Sequence, residues 1–95
     1  MTTMDSLVLD IGGTIGALVI HTGAELAEQE IEISPAGRQE PREHNVVHAR
    51  RDRYRTAYTA VFPSVPAGDY TVWRGDGSPH SVVTIHGGGV TELHL

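Results

Sequence analysis

The chain has 95 residues, 39% of them hydrophobic and 20% charged, with a net charge of -5 and no cysteine. That composition fits one globular domain with its own core. It excludes a disulfide framework, a thiolate zinc site and a thiol nucleophile. The longest apolar run, Ile15 to Ile20, is far short of the roughly 20 residues a membrane-spanning helix requires, and the absence of a signal-peptide pattern predicts a cytoplasmic location.

In chain order, Leu7 to Ile11 reads as a first strand, turned by Gly12-Gly13. Ile15 to His21 follows, and its unbroken apolar character predicts a central strand covered on both faces. Thr22-Gly23 ends it, and Ala24 to Glu28 reads as a helical turn or loop. Glu28 to Ile33 alternates, which places Ile31 and Ile33 inward and Glu30 and Glu32 outward. Ser34-Pro35-Ala36-Gly37 breaks the pattern. Val46-Val47 predicts a strand over His44 to Arg50, ahead of a polar loop. Tyr54 to Phe62 reads as the next strand, Pro63 to Gly68 as a loop, and Asp69 to Trp73 as a strand in or near the core. Gly75-Asp76-Gly77 turns the chain into Ser81 to His86.

A three-glycine loop at 87 to 89 then predicts a hairpin in which Val83 faces Leu93, with Ile85 and Leu95 on the same face and His86, Glu92 and His94 on the other. Strands of β-branched and aromatic residues between Pro/Gly/Asp turns add up to an all-β chain. The expected architecture is an antiparallel β-sandwich of about seven strands, as a single domain over residues 1 to 95. Open sheet edges in such a sandwich predict a symmetric homodimer.

Pro66-Ala67-Gly68-Asp69-Tyr70-Thr71-Val72, with Val82-Val83-Thr84-Ile85 and Gly88-Gly89-Val90-Thr91-Glu92, resembles the closing strands of transthyretin-like (prealbumin-type) and carboxypeptidase regulatory-like β-sandwiches. The resemblance spans about a third of the chain and implies a prealbumin-like sandwich. The whole chain also resembles a family of small bacterial proteins with an IGALV, EIEI, AVFP and PAGDYTVW layout, some of which carry a phospholipase label. No Gly-x-Ser-x-Gly nucleophile elbow supports that label here.

Charge is the strongest functional signal. All seven basic residues are arginines, and six of them, Arg38, Arg42, Arg50, Arg51, Arg53 and Arg55, lie between positions 38 and 55. Set against Glu40, Glu43 and Asp52 the segment carries about +3, leaving about −8 elsewhere. The overall acidity argues against nucleic acid as a partner. The segment predicts a non-catalytic binding module that takes a protein partner or small anion on Arg50, Arg51 and Arg53, with Tyr54 and Tyr58 as aromatic anchors. A solvated loop of paired arginines is the plainer reading.

Six histidines suggest an alternative, a small transition-metal protein holding Zn or Cu. In the expected hairpin His80 lies diagonal to His94, at roughly 7–8 Å between Cα atoms. His44 and His48 would chelate from one helix face, but on a strand they stand roughly 13 Å apart. Ordinary surface histidines are the plainer reading again. Asp10-Ile11-Gly12-Gly13-Thr14 resembles the phosphate-binding turn of sugar-kinase and actin-like ATPases, yet a tight Gly-Gly turn accounts for it. Arg74-Gly75-Asp76, the tripeptide read by adhesion receptors, fits a hairpin turn equally well. No serine sits in a nucleophile context, which weighs against an enzyme.

Overall fold

A computed structural model describes residues 9–95. Eight strands and one short 3-10 turn follow in order: β1 (Ile15–Thr22), η1 (Ala24–Leu26), β2 (Glu30–Pro35), β3 (Glu43–Val46), β4 (His48–Arg51), β5 (Thr56–Pro66), β6 (Gly68–Trp73), β7 (Pro79–Ile85) and β8 (Val90–His94). They form two four-stranded sheets, ordered β4-β5-β1-β8 and β3-β2-β6-β7. The inward side chains of the two sheets meet in one core built around Leu18, Ile20, Ile31, Ile33, Phe62, Val65, Val72 and Ile85. The chain is an all-β sandwich, with eight strands where about seven were expected. Among the described residues no helix is long and apolar enough to cross a membrane.

β1 is the central strand its apolar run predicts, paired with β5 on one side and β8 on the other. The expected strand at Leu7 to Ile11 lies partly outside the described residues. From Leu9 to Ile11 the chain is not a strand, and Gly12 instead closes a tight turn on Ile15, each amide donating to the other's carbonyl at 2.9 Å. This turn is the structure that the Asp-Ile-Gly-Gly-Thr stretch makes.

Three further expectations change. The strand expected across His44 to Arg50 is split at Val47, which is wholly buried. Glu28 N–H donates to the Val47 carbonyl, and Val47 N–H donates to the Gln29 carbonyl, both at 2.9 Å. With its side chain in the core and its backbone held by the β2 side, Val47 becomes the crossing point. The chain enters it in one sheet, as β3, and leaves in the other, as β4.

Pro63 does not end β5. The register against β1 shifts between Gly16 and Leu18, so extra residues bulge opposite Ala17 and the strand runs on to Pro66. A bulge leaves a proline's missing N–H without cost to the ladder.

The third change has the largest consequence. β7 and β8 are not a hairpin, because β8 crosses to the other sheet and runs parallel to β1, with His21 opposite His94. Gly88 N–H donates to the Ile15 carbonyl at 2.9 Å, and Ala17 N–H donates to the Gly89 carbonyl at 3.0 Å. The glycine run turns on itself, Gly89 N–H donating to the His86 carbonyl at 3.1 Å, and its other hydrogen bonds tie it to β1 instead of carrying the chain back along β7. A side chain at Gly87 would collide with the Gly13 carbonyl, so the close passage of these two backbones depends on glycine.

Candidate functional site: the arginine hairpin

The 38 to 55 segment does not form one surface. Arg38 and Arg42 lie on the β2–β3 connection, over the outer face of the β3-β2-β6-β7 sheet. Arg50, Arg51, Arg53 and Arg55 lie on β4 and its hairpin to β5, at the edge of the other sheet.

That hairpin is locally determined. Asp52 N–H donates to the Arg55 carbonyl at 3.0 Å, and the Asp52 Oδ1 accepts from the amides of Tyr54 at 2.7 Å and Arg55 at 2.9 Å. An aspartate folding onto backbone amides two and three residues ahead is a self-contained turn. These amides, joined by the Arg55 charge, hold the Asp52 carboxyl below its usual range. The turn carries Tyr54 at its tip, 84% exposed, with the Arg53 guanidinium 5.9 Å from its ring centroid. Arg50 is restrained, its Nε donating to Thr59 Oγ1 at 2.6 Å.

The described ion pairs are His21 with Glu92 and Arg42 with Glu32, both at 2.7 Å. Among the described residues, then, Arg50, Arg51, Arg53 and Arg55 meet no carboxylate within ion-pair distance. The paired-arginine reading holds for Arg42 and not for the hairpin. Tyr58 is half-buried and packs on the core, so it is no surface anchor.

The histidines do not gather as expected. His80 is on β7 and His94 on β8, in different sheets, because the hairpin that would have made them neighbours does not form. The Val47 crossing likewise puts His44 and His48 in opposite sheets. His94 instead stacks on His21, with ring centroids 4.6 Å apart and planes 14° from parallel. No cluster of three or more metal-ligating side chains occurs among the described residues.

For Trp73, expected on a strand in or near the core, the structure differs too. Its neighbours Tyr70 and Val72 face inward, while Trp73 itself is half-buried on the outer face of its sheet. The alternation Asp69, Thr71, Trp73 against Tyr70, Val72 carried that signal.

No protein-family model matches the chain, and neither does any curated protein sequence. Among solved structures, the chain is similar to part of a leucine-rich repeat protein from Bacteroides thetaiotaomicron, at 14% identity and a TM-score of 0.56. The match covers 87% of this chain and 12% of that one. At such identity the likeness concerns the fold alone.

Proposed function

We propose that this chain is a non-catalytic binding module whose β4–β5 hairpin grips an acidic segment of a partner protein. The observation that carries the reading is Tyr54, 84% exposed on a turn held by Asp52 and flanked by arginines that meet no carboxylate among the described residues. An exposed aromatic beside guanidiniums is the pairing that dominates interface energetics, and arginine forks match carboxylates bidentately. Among the described strands β4 is also a sheet edge, so its outward backbone groups offer an extended peptide a ladder to join.

Poly-glutamate and a short extended Asp/Glu peptide serve as probes. Both should bind the full chain, more weakly as salt is raised, because exposed charges are screened beyond about 8 Å at physiological ionic strength. Replacing Arg51, Arg53 and Tyr54 together with alanine should abolish capture and leave the melting temperature nearly unchanged. Arg50 is left in place in that variant because it also braces Thr59. Unaltered capture by the triple variant would refute the reading.

A further inference from the structure

On the opposite side of the sandwich from this hairpin's sheet, the outer face of β3-β2-β6-β7 carries a groove of about 480 Å³. The Gly37 to Gln39 turn forms one wall, β7 forms the other, and Trp73 lies between them. That volume falls within the range of about 300–1,000 Å³ usual for small-molecule sites.

The indole is fixed before any ligand arrives. Its Nε1–H donates to Ser34 Oγ at 2.9 Å, and the Ser34 hydroxyl donates to the Arg38 carbonyl at 2.7 Å. Ser34 is only 1% exposed, so one buried hydroxyl holds both the tryptophan and the turn that walls the groove. The Arg42 guanidinium lies 4.0 Å from the indole ring centroid and is held by the Glu32 carboxylate at 2.7 Å and the Gln39 carbonyl at 2.9 Å. Arg42 takes no part in lining the groove. With its polar edge satisfied and a cation on one face, the indole can offer the groove only apolar π surface.

The rest of the lining mixes Pro79 and Val82 with polar groups and carries one sign of charge. In a chain of net charge -5, no aspartate or glutamate is among the described residues that line the groove, and Arg38 is the one formal charge among them. Among the described residues the Arg38 side chain has neither an ion pair nor a hydrogen bond, while its backbone is anchored through the Pro35 carbonyl at 3.0 Å. Gln39 and Thr71 add neutral hydrogen-bonding groups. The Ser81 hydroxyl occupies His80 Nδ1 at 2.9 Å, which leaves Nε2 for a ligand.

We infer that this groove binds an acidic sugar, a pyranose bearing a carboxylate. The electropositive C–H face of the ring rests on the electron-rich face of Trp73, the carboxylate meets Arg38 as a bidentate pair, and ring hydroxyls bond Gln39, Thr71 and His80. A plain aromatic acid would leave those polar groups unused. A neutral sugar would leave the guanidinium without its anion. The site is separate from the arginine hairpin and does not depend on that surface's function.

Trp73 is the chain's single tryptophan, so its fluorescence reports from within the groove. Glucuronate titrated into the full chain should change that emission saturably. Glucose should bind at least tenfold more weakly and acetate should give no saturable change, since each lacks half of the recognised chemistry. A galacturonate trimer binding tighter than the monomer assigns the source to an acidic polysaccharide, whereas equal affinity assigns it to the free sugar acid.

Arg38→Gln should weaken glucuronate about tenfold or more, as loss of a charge-assisted pair requires. Val82→Asp should do the same by repulsion, since Val82 is 61% exposed and can be changed without disturbing the core. Val90→Ala, at an exposed position on β8 in the other sheet, should leave glucuronate affinity unchanged. Equal affinity for glucose and glucuronate, an equal response to acetate, no saturable change with glucuronate, or full affinity in both groove variants would overturn the inference.

Discussion

Two aspartates hold this molecule's turns in the same way. Asp52 binds the amides of Tyr54 and Arg55, and Asp76 binds the amide of Ser78 at 2.9 Å and its hydroxyl at 2.6 Å. Both carboxyls are held below their ordinary value of about 3.8, Asp76 chiefly by the Ser78 hydroxyl and amide. A carboxyl whose pKa is depressed on folding adds stability above its unfolded pKa and loses it as pH falls through the folded one. The two turns therefore weaken only below about pH 4. The difference in melting temperature between the native chain and an Asp52→Asn/Asp76→Asn variant should be constant at neutral pH and shrink in acid; a difference growing in acid would reverse the assignment. Burial separates another pair of neighbours. Ile31→Ala should cost about 2–5 kcal/mol in chemical denaturation, since Ile31 is 1% exposed. Glu32→Ala should cost about 1 kcal/mol or less, because its ion pair with Arg42 is partly solvated.

At the scale of elements, the sequence made faces legible and pairings less so. Ile31 and Ile33 are buried as their alternation predicts. Val83 and Leu93 also point toward the core although they sit in different sheets. Alternation of side chains is a property of one strand, so a wrong partner leaves it intact. The partner is chosen by backbone groups in the connections, and neither the Val47 crossing nor the crossover at glycines 87 to 89 has a hydrophobic signature. The His80 and His94 pair fails for that reason, since it needs both members in one sheet, whereas His44 and His48 need a helix face and lie on two strands instead. The hairpin arginines stand together because their grouping is local to one turn. Gly87→Ala distinguishes the two connections. In an isolated hairpin loop the change would be mild, whereas here it drives a Cβ into the Gly13 carbonyl. It should lower stability by more than about 1 kcal/mol in chemical denaturation. A neutral result would contradict the crossover.

Across the whole molecule, charge is divided between surfaces. The hairpin at the β4 edge gathers four of the seven arginines, with only Asp52 of opposite sign among residues 50 to 55, in a chain whose total is -5. Such separation steers a charged partner toward one end and fixes its orientation more than it adds affinity. It also bears on the expected homodimer. A symmetric pairing of β4 with its own copy would bring arginines against arginines, which disfavours that edge as a dimer contact. The most direct measurement is the backbone amide spectrum of the isotopically labelled chain during titration with an extended Asp/Glu peptide. The largest shifts should fall on residues 48 to 56, with their β5 partners following, and should fade as salt is added. Shifts spread evenly over the surface, or concentrated away from the hairpin, would contradict the account.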